Sequence, residues 1–433
     1  MKPRRCTPQE AAALVWPVDS IGFGLGPAAP PEFFRALGER DDWENLVLGG
    51  ALLLDYYTVF TNPNVSYRSG FFGPAERIMA ASGFNVEHVP GGFRQFGPIM
   101  GIIPPRIVCT QATPPDKDGN LNLSLHVGGT LNETLAAGRD PERLLIVEVN
   151  PKLPRTRGLP PEYDNSLPLD LVDVLIEADC DPFVLEEPPV DELDTAIAAN
   201  AVFYVSDGAT LQTGIGAVPS MIATQLAEGP GGDYGIHTEM FTNGLMRLHQ
   251  AGKITNKKGM FDGVSVVTFA LGSADLYRWL DGNPEVAFLP VDVVNEPSTI
   301  AKNRKLVTIN GALTVDLYGQ IVADTIGGEQ ISGVGGQEDF LSATDLNSDA
   351  FSLICLRSTV TVNGEVRSTI LPYLPEGSVV STPRHHTNVV VTEYGSAMVN
   401  GMTVRERACA LAEIAHPDFR DGLREAAAKF GRP

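Results

Sequence analysis

Short apolar runs alternate with segments of helical periodicity along most of the chain. Four runs are rich in aliphatic, β-branched or aromatic residues and are bounded by turn-forming residues: 46–48, Leu144–Val149, 202–205 and 264–269. Such runs suit strands that are buried on both faces of a parallel or mixed sheet. The intervening segments 191–200 and Ala274–Leu280 have the spacing of amphipathic helices. This alternation predicts an α/β fold.

The length of the chain, 433 residues, favours two domains over one. The segment 181–189 is acidic and rich in proline, and it precedes a new predicted helix. We therefore expect one domain over residues 1–185 and a second, of similar size, over residues 186–433. In the second domain, residues 306–323 are expected to form a hairpin that turns at 317–320.

The net charge of −21 and the scattered cysteines narrow the classes of protein. A nucleic-acid binder needs basic surface to neutralise phosphates, so nucleic acid is not expected as a partner. The five cysteines form no CxxC pair, which argues against a disulfide framework or a zinc knuckle and for a reducing compartment. No apolar stretch approaches the roughly 18–20 residues of a membrane helix, and no signal peptide is recognisable. We expect a cytoplasmic protein without a membrane partner.

Three glycine-rich segments lie where predicted strands end. The first spans residues 22–26. The second lies between a predicted strand at 209–213 and a predicted helix at 219–228, and it comprises Gly214, Ile215, Gly216, Ala217 and Val218. The third contains Gly333, Gly335 and Gly336. Glycines let the backbone approach a ligand, and the free N–H groups of a helix start attract anions. By pattern alone, each segment is either a structural turn or an anion-binding loop.

A candidate carboxylate, Glu239, stands in a short predicted strand at 235–241, ahead of a predicted helix at 245–250. Strand alternation places His237 and Glu239 on one face, and ligands usually bind at the ends of strands in open α/β sheets. The chain has 53 acidic residues, so chemistry alone leaves Glu239 one candidate among many. The sequence contains no HxxxH, HExxH, GxSxG or GxxxxGK[ST] motif. A metal site, a serine hydrolase and a phosphate loop are therefore not expected.

Ten short segments, taken together and in chain order, carry a resemblance to a known family. They are FFGPAER (71–77), PPDKDG (114–119), VEVN (147–150), GIGAVP (214–219), HTEMFTNGL (237–245), ALGS (270–273), VDLYGQ (315–320), GVGGQEDF (333–340), VVTEYG (390–395) and AHPDFR (415–420). The chain resembles the acetyl-CoA hydrolase/transferase family, which includes 4-hydroxybutyrate and butyrate:acetate CoA-transferases.

The resemblance implies two related open α/β domains with mixed, mostly parallel sheets and an active site between them. It implies that Glu239 attacks an acyl-CoA to give a mixed anhydride, and that the CoA thiolate then forms a glutamyl-CoA thioester in a ping-pong mechanism. Amides of the loops at 214–218 and 333–336 would bind CoA and stabilise the oxyanions. Coenzyme A would be a substrate, with no tightly bound cofactor. The CoA group would be exchanged between short-chain acids, with acetate or acetyl-CoA as one partner. The protein would be a homodimer or homotetramer.

Individual positions carry further expectations. An ordinary glutamate has a pKa of about 4.3, so Glu239 is expected to be ionised without special tuning. His237 is expected to pack or orient, and Glu338, where family members often carry a small or apolar residue, is expected to point away from the thioester. Five basic residues are candidates for binding the CoA phosphates, although ordinary surface solvation competes: Lys257, Lys258, Lys302, Arg304 and Lys305.

Three other functions are compatible with parts of the sequence. A hydrolase would use the same glutamyl intermediates and let water resolve them. A nicotinamide-dependent oxidoreductase is suggested by GxG after a strand, but the third glycine of the fingerprint and an acidic partner for a ribose are missing. A non-catalytic CoA sensor is disfavoured by Glu239 and the two glycine loops.

Overall fold

The computed structural model describes residues 3–431. Its strands are β1 (Arg4–Cys6), β2 (Val18–Phe23), β3 (Asn45–Gly50), β4 (Val65–Ser69), β5 (Val86–His88), β6 (Ile107–Ala112), β7 (Asn120–Asn122), β8 (Leu144–Val149), β9 (Ser166–Pro168), β10 (Val174–Glu177), β11 (Thr210–Thr213), β12 (Gly235–Ile236), β13 (Met240–Phe241), β14 (Ser265–Val267), β15 (Phe269–Ala270), β16 (Val286–Phe288), β17 (Leu306–Gly311), β18 (Thr314–Asp316), β19 (Ile321–Val322), β20 (Thr325–Ile326), β21 (Glu329–Gln330), β22 (Phe351–Cys355), β23 (Thr359–Val362), β24 (Glu365–Ser368), β25 (Ile370–Leu371), β26 (Val389–Thr392) and β27 (Gly395–Met398).

The α-helices are α1 (Pro8–Ala12), α2 (Pro31–Gly38), α3 (Pro74–Ala81), α4 (Phe96–Ile102), α5 (Leu131–Arg139), α6 (Glu192–Val202), α7 (Ala217–Glu228), α8 (Asn243–Gln250), α9 (Ala274–Leu280), α10 (Val291–Val294), α11 (Pro297–Ile300), α12 (Gln337–Thr344), α13 (Val404–Glu413) and α14 (Pro417–Ala427). Short 3-10 turns occur at Gly26–Ala28, Thr58–Thr61, Phe93–Gln95 and Leu169–Leu171.

The first of two compact units contains the residues up to Leu185 together with Val266–Val294 and Ile331–Gly335. Its sheet has eight strands in the order β1-β10-β8-β6-β2-β3-β4-β5, and every neighbouring pair is parallel. The apolar run of β8 is almost entirely buried, as expected for a parallel strand that is covered on both faces. Aromatic rings fill part of the core: Phe23 packs edge-on against Phe34 with ring centroids 5.0 Å apart.

The second unit contains Glu186–Ser265, Asn295–Gln330 and the residues from Gly336 onward. Its sheet has six strands in the order β12-β11-β17-β22-β26-β27. All neighbouring pairs are parallel except β26 and β27. The strand order changes direction at β11, which lies between β12 and β17. The carboxyl ends of β11 and β17 therefore meet at a topological switch point, where open α/β sheets usually bind ligands, and β12 lies directly beside β11.

Local sequence signals explain where the helices near this edge begin. The carboxylate of Asp191 accepts the N–H of Asp194 at 3.0 Å and caps α6. Helix α7 begins after Gly216, whose φ of +129° is a conformation that favours glycine. Pro219 follows inside the first turn, where a missing N–H leaves no hydrogen bond unmade. The helix thus starts two residues before the predicted bound at 219.

Several predicted elements differ from the structure. Residues 202–205 form no strand: Val202 ends α6, and Phe203 is 83% exposed. The apolar side chains there belong to a helix end, which a short run cannot distinguish from a strand. The predicted hairpin is smaller than expected, because Leu306–Gly311 is a central parallel strand and only β18 and β19 pair antiparallel around the turn at 317–320. The run at 264–269 is divided between β14 and β15.

Each of the two units consists of several chain segments, whereas the sequence predicted one continuous segment for each domain. The chain does pass from the first unit to the second between Leu185 and Glu186, but Val266–Val294 and Ile331–Gly335 return to the first unit. A division into the segments 1–185 and 186–433 stays a prediction about domains.

Two further findings bear on the sequence expectations. In the part of the chain that the structure describes, no helix is both long enough and apolar enough to cross a membrane. The cysteines are free thiols, and three of them, Cys6, Cys109 and Cys355, are buried.

Candidate active site

Glu239 lies in the bend that joins β12 to β13, at the carboxyl end of the six-stranded sheet. The backbone before it is bound to β11. The N–H of His237 donates to the carbonyl of Leu211 at 3.1 Å, and the hydroxyl of Thr238 donates to the carbonyl of Thr213 at 3.2 Å. These hydrogen bonds fix Glu239 beside the end of β11.

The bend changes one sequence expectation. A continuous strand over 235–241 would place His237 and Glu239 on one face, but the structure has separate two-residue strands at β12 and β13. His237 is fully buried, whereas Glu239 keeps part of its surface accessible. The alternation argument therefore does not hold here.

Three groups surround the carboxylate of Glu239. Nδ2 of Asn295 donates to Oε2 of Glu239 at 2.8 Å and also to Oδ2 of Asp339 at 3.1 Å. The backbone N–H of Gly336 donates a further hydrogen bond to the Glu239 carboxylate. Asn295 and Asp339 are buried. The site thus combines the carboxylate of Glu239, a partly exposed residue, with two donors and a second, buried carboxylate.

Burial raises the pKa of Glu239 to about 8. The hydrogen bond from Asn295 lowers this pKa, the negative charge of Asp339 raises it, and the N–H of Gly336 lowers it again. The expectation of an ordinary, fully ionised glutamate is therefore wrong, because loss of hydration outweighs the two donors. With this pKa, Glu239 is mostly protonated near pH 7.

Position 336 has no room for a side chain. An added Cβ would lie 1.8 Å from Oε2 of Glu239 and 2.3 Å from Nδ2 of Asn295. The φ of Gly336 is −92°, which any residue adopts, so space and not backbone conformation requires glycine. Gly336 is also the N-cap of α12, and the unpaired N–H groups of a helix start favour an anion there.

His237 has the surroundings of a packed side chain. Its Nδ1 lies 3.1 Å from Nδ2 of Asn303, and its ring lies 6.4 Å from that of Phe261 and 6.3 Å from that of Phe340, measured between centroids. These contacts fit the predicted role in packing or orientation.

The first glycine loop of the prediction begins at the end of β11. The N–H of Gly214 donates to the carbonyl of Ile309 at 3.3 Å, and Ile215 is half exposed. Gly216 precedes α7, whose first turn contains Ala217 and Val218 and receives no side-chain cap from Gly216. The structure thus places these residues at the switch point, directly after Thr213 of β11, whose carbonyl accepts the hydroxyl of Thr238. Their role in binding CoA stays a prediction.

Two glycines of the other predicted loop belong to the first unit. A Cβ at Gly333 would lie 2.9 Å from the carbonyl oxygen of Gly70, so this glycine permits a close backbone approach. Gly335 has a φ of +55°, and its carbonyl accepts the N–H of Phe93 at 2.8 Å. Of the three predicted loop glycines, Gly336 is the one with a contact to Glu239. An oxyanion role for Gly333 and Gly335 stays a prediction.

Glu338 is engaged away from Glu239. Its Oε1 accepts the hydroxyl of Thr382, and its Oε2 lies 2.9 Å from Nδ1 of His386. This is the orientation that the sequence reading expected for a charged residue in this loop.

Lys258 differs from the expectation of a cation for phosphates. It is fully buried, and its Nζ donates to the carbonyl of Met260 at 2.7 Å and to that of Phe261. Burial lowers the pKa of Lys258 to about 7. A buried amine that is bound to two carbonyls is a structural group of its own loop. Lys257, Lys302, Arg304 and Lys305 are exposed.

Neither Asn295 nor Asp339 was predicted from the sequence to be a site residue, although Asp339 lies within the segment GVGGQEDF. Asn295 is separated from Glu239 by 56 positions, and no pattern around it indicates chemistry. Asp339 did carry a signal, because it is an acidic residue in the first turn after three glycines. Within residues 3–431, no group of three or more His, Cys, Asp or Glu residues is arranged to hold a metal ion.

The architecture places the chain in a known structural class. A 4-hydroxybutyrate CoA-transferase from Porphyromonas gingivalis superposes with a TM-score of 0.80, at 29% identity, over 98% of this chain and 97% of that chain. The fold is that of the coenzyme A-transferases.

Sequence comparison narrows the class to a family. The chain is 35% identical over 432 residues to the succinyl-CoA:cyclohexane-1-carboxylate CoA transferase of Geobacter metallireducens, which is 99% of this chain and 95% of that protein. It is 34% identical to a probable butyrate:acetyl-CoA coenzyme A-transferase of Syntrophomonas wolfei, over 99% of this chain and 96% of that protein. The family model of the acetyl-CoA hydrolase/transferase C-terminal domain matches residues 272–427. The chain belongs to the acetyl-CoA hydrolase/transferase family.

Proposed function

We propose that the chain is an acyl-CoA:carboxylate CoA-transferase in which Glu239 forms a covalent glutamyl-CoA thioester. One observation carries the proposal: the carboxylate of Glu239, at a strand end, is bound by the side chain of Asn295 and by the N–H of Gly336. A carboxylate is a poor direct acceptor for a thioester, and an enzyme carboxylate divides the exchange into easier covalent steps.

The proposed reaction has two halves. In the first, ionised Glu239 attacks the thioester carbonyl of an acyl-CoA, the C–S bond breaks, and a mixed anhydride and CoA thiolate result. The thiolate then attacks the glutamyl carbonyl and releases the first acid as its carboxylate. In the second half, another carboxylate attacks the glutamyl-CoA thioester and the same steps run in reverse. This order is a ping-pong mechanism.

Both donors to Glu239 suit these steps. Each tetrahedral intermediate at the glutamyl carbonyl places negative charge on its oxygen. A preorganised donor to such an oxygen contributes about 3–4 kcal/mol to the transition state. The N–H of Gly336 and Nδ2 of Asn295 already bind this carboxylate before substrate arrives. We propose the N–H groups at Ile215, Gly216, Gly333 and Gly335 as further binding groups for CoA and the acyl oxyanion, while Gly214, whose N–H is bound to Ile309, shapes the start of the loop.

The proposed substrates are short-chain acids, with acetate or acetyl-CoA as one partner. The support comes from similar proteins, among them the probable butyrate:acetyl-CoA coenzyme A-transferase of Syntrophomonas wolfei. The Geobacter relative carries a cyclic acid in its name, so the acyl group varies between similar sequences. A panel of acceptor acids against acetyl-CoA, propionyl-CoA, butyryl-CoA and succinyl-CoA measures the preference of this chain.

An acyl-CoA hydrolase is the second candidate. The partial exposure of Glu239 favours it, because water that reaches the glutamyl thioester would hydrolyse it. The two activities differ in their dependence on an acceptor acid. Loss of acetyl-CoA that is equally fast with and without acceptor identifies a hydrolase, whereas loss that requires the acceptor identifies a transferase.

Mass spectrometry of the peptide that contains Glu239 tests the mechanism. After incubation with acyl-CoA and no acceptor, we expect the mass of CoA on that peptide, and borohydride should convert the thioester to an alcohol. The variant E239Q serves as the control, since its amide cannot act as the nucleophile. Turnover without any adduct at Glu239 would contradict the proposal.

Compartment and assembly are part of the proposal. Free cysteines agree with a reducing compartment such as the cytoplasm. A homodimer or homotetramer is expected from the resemblance, and light scattering on the purified chain measures it.

A further inference from the structure

The first turn of α12 is bound to the candidate site on one side. Its N-cap, Gly336, donates its N–H to Glu239. Asp339, three residues later, accepts from Asn295, whose amide also donates to Glu239. The position of this turn therefore decides whether both donors meet the carboxylate.

Different side chains hold the same turn from another direction. Nε2 of Gln337 donates to Oγ1 of Thr382 at 2.9 Å, and the same hydroxyl donates to Oε1 of Glu338. The other oxygen of Glu338 lies 2.9 Å from Nδ1 of His386. Both oxygens of Glu338 are thus used, and two consecutive residues of the turn are attached to the segment 382–386.

That segment is itself well fixed. Thr382 is fully buried, and it exchanges two backbone hydrogen bonds with Ile321 of β19, at 3.0 and 3.2 Å. His386 also approaches the far end of α12, where its Nε2 lies 3.8 Å from Oδ2 of Asp345. The imidazole therefore lies between a residue of the first turn and the C-cap residue of the same helix.

The chain that leads into α12 is rich in glycine. Three glycines stand in the four positions 333–336, and Gly335 has a φ of +55°. Glycine loses more conformational freedom on folding than any other residue, so this segment costs more entropy to order than an ordinary one. Hydrogen bonds to the side chains of Gln337 and Glu338, which directly follow the glycines, restrict this part of the chain.

We propose that Glu338, bound by Thr382 and His386, is a positioning residue: it keeps the Gly336 amide and Asp339 in their places around Glu239 and Asn295. The inference rests on the proposed role of Glu239 as nucleophile. Glu338 acts through the backbone of α12 and not on the substrate. Its carboxylate is needed as a hydrogen-bond acceptor, so a glutamine retains part of the function.

The test compares E338A, E338Q and the wild type by the rate of covalent labelling at Glu239 with acetyl-CoA. For E338A we expect a ten- to hundredfold lower rate at saturating acetyl-CoA, which is the size of effect that misplacement of a reacting group produces. The acetyl-CoA concentration at half-maximal rate should stay within about threefold of wild type, because binding is not removed. E338Q, which keeps one acceptor oxygen, should recover part of the rate.

Two partner variants and one control complete the series. T382V removes the shared hydroxyl at nearly constant volume, and H386A removes the second partner. The double variant E338A/H386A should lose no more than E338A alone, since both remove the same anchor. E413A is the matched control, because Glu413 is a glutamate on α13 whose partner is Arg424.

Amide hydrogen exchange distinguishes this inference from the proposed function. If the anchor exists, E338A raises the exchange rate of the amides at 336–338, whether or not any adduct forms. A wild type that never labels at Glu239 would overturn the proposed mechanism. The exchange measurement would still test whether Glu338, through Thr382 and His386, fixes the first turn of α12. Unchanged exchange in E338A, wild-type labelling by E338A, or an E338Q variant as slow as E338A would each overturn the anchor.

Discussion

Nδ2 of Asn295 donates a hydrogen bond of 2.8 Å to Oε2 of Glu239. The same nitrogen donates to Oδ2 of Asp339 at 3.1 Å, so one amide group bridges two carboxylates. Neighbouring carboxylates raise each other's pKa, and a donor between them stabilises the ionised forms. The fraction of Glu239 that is ionised therefore depends on the balance between Asn295 and Asp339.

Replacing Asn295 with alanine should slow labelling of Glu239 near pH 7. The hydrogen bond from Asn295 lowers the pKa of Glu239, so its loss raises that pKa further above the present value of about 8. A hydrogen bond to a charged group contributes about 1.5–3 kcal/mol, which corresponds to a roughly ten- to hundredfold lower rate. The rate of N295A should recover in part as the pH rises, and labelling measured from pH 6 to pH 10 tests this.

Asn132 offers the matched control for that substitution. It is exposed, and its amide also donates to a carboxylate, that of Asp292 at 3.5 Å. N132A should label like the wild type. A profile of N295A with the wild-type midpoint would contradict the link between Asn295 and the pKa of Glu239.

Replacing Asp339 with asparagine should move the activity profile in the opposite direction. The negative charge of Asp339 raises the pKa of Glu239, and asparagine removes the charge while its Oδ1 still accepts from Asn295. The midpoint of the labelling profile should fall by about one pH unit, an ordinary size for the effect of one neighbouring charge. D421N, at a position where the side chain is 93% exposed, is the control. A midpoint that stays or rises would sink the argument.

The variant G336A should abolish labelling of Glu239 through a steric effect. A Cβ there would lie 1.8 Å from Oε2 of Glu239, so the carboxylate or the turn must move. We expect a loss of at least a hundredfold, because displacement of a nucleophile by about 1 Å costs that much. G422A is the control, since a Cβ at that helical position meets nothing within 4 Å. Retention of wild-type labelling by G336A would show that the Gly336 amide is not a fixed donor.

The sequence predicted much of the fold but little of the site without the family resemblance. Strands such as β8 were recognisable because burial on both faces makes them continuously apolar. The strand predicted at 202–205 was wrong because Val202 at the end of a helix and the exposed Phe203 after it have the composition of a short strand. Both outcomes depend on the composition of a few adjacent residues.

The site depends on contacts between distant segments. Glu239, Asn295 and Gly336 come from three separate parts of the chain, and Asn295 alone is 56 positions from Glu239. One acidic residue among 53 carries no local mark of such partners. Its raised pKa was also hidden, because the cause is burial by residues that the sequence does not place nearby.

The variant E239Q should stabilise the folded protein at pH 8 more than at pH 5. The pKa of Glu239 is raised from 4.5 to about 8 by burial, so the folded state keeps a proton between these values that the unfolded state has lost. When the folded state binds more protons, the free energy of unfolding falls as the pH rises through that window. This contribution is absent from the glutamine variant, which should melt a few degrees higher than the wild type at pH 8. Near pH 4 both states of the wild type hold the proton, and the difference should vanish.

The measurement is the melting temperature of both proteins from pH 4 to pH 9, with E142Q, at an exposed position, as the control for the substitution itself. A constant difference across the range would mean that Glu239 is ionised in the folded protein at neutral pH. The nucleophile would then need no proton removed before it attacks.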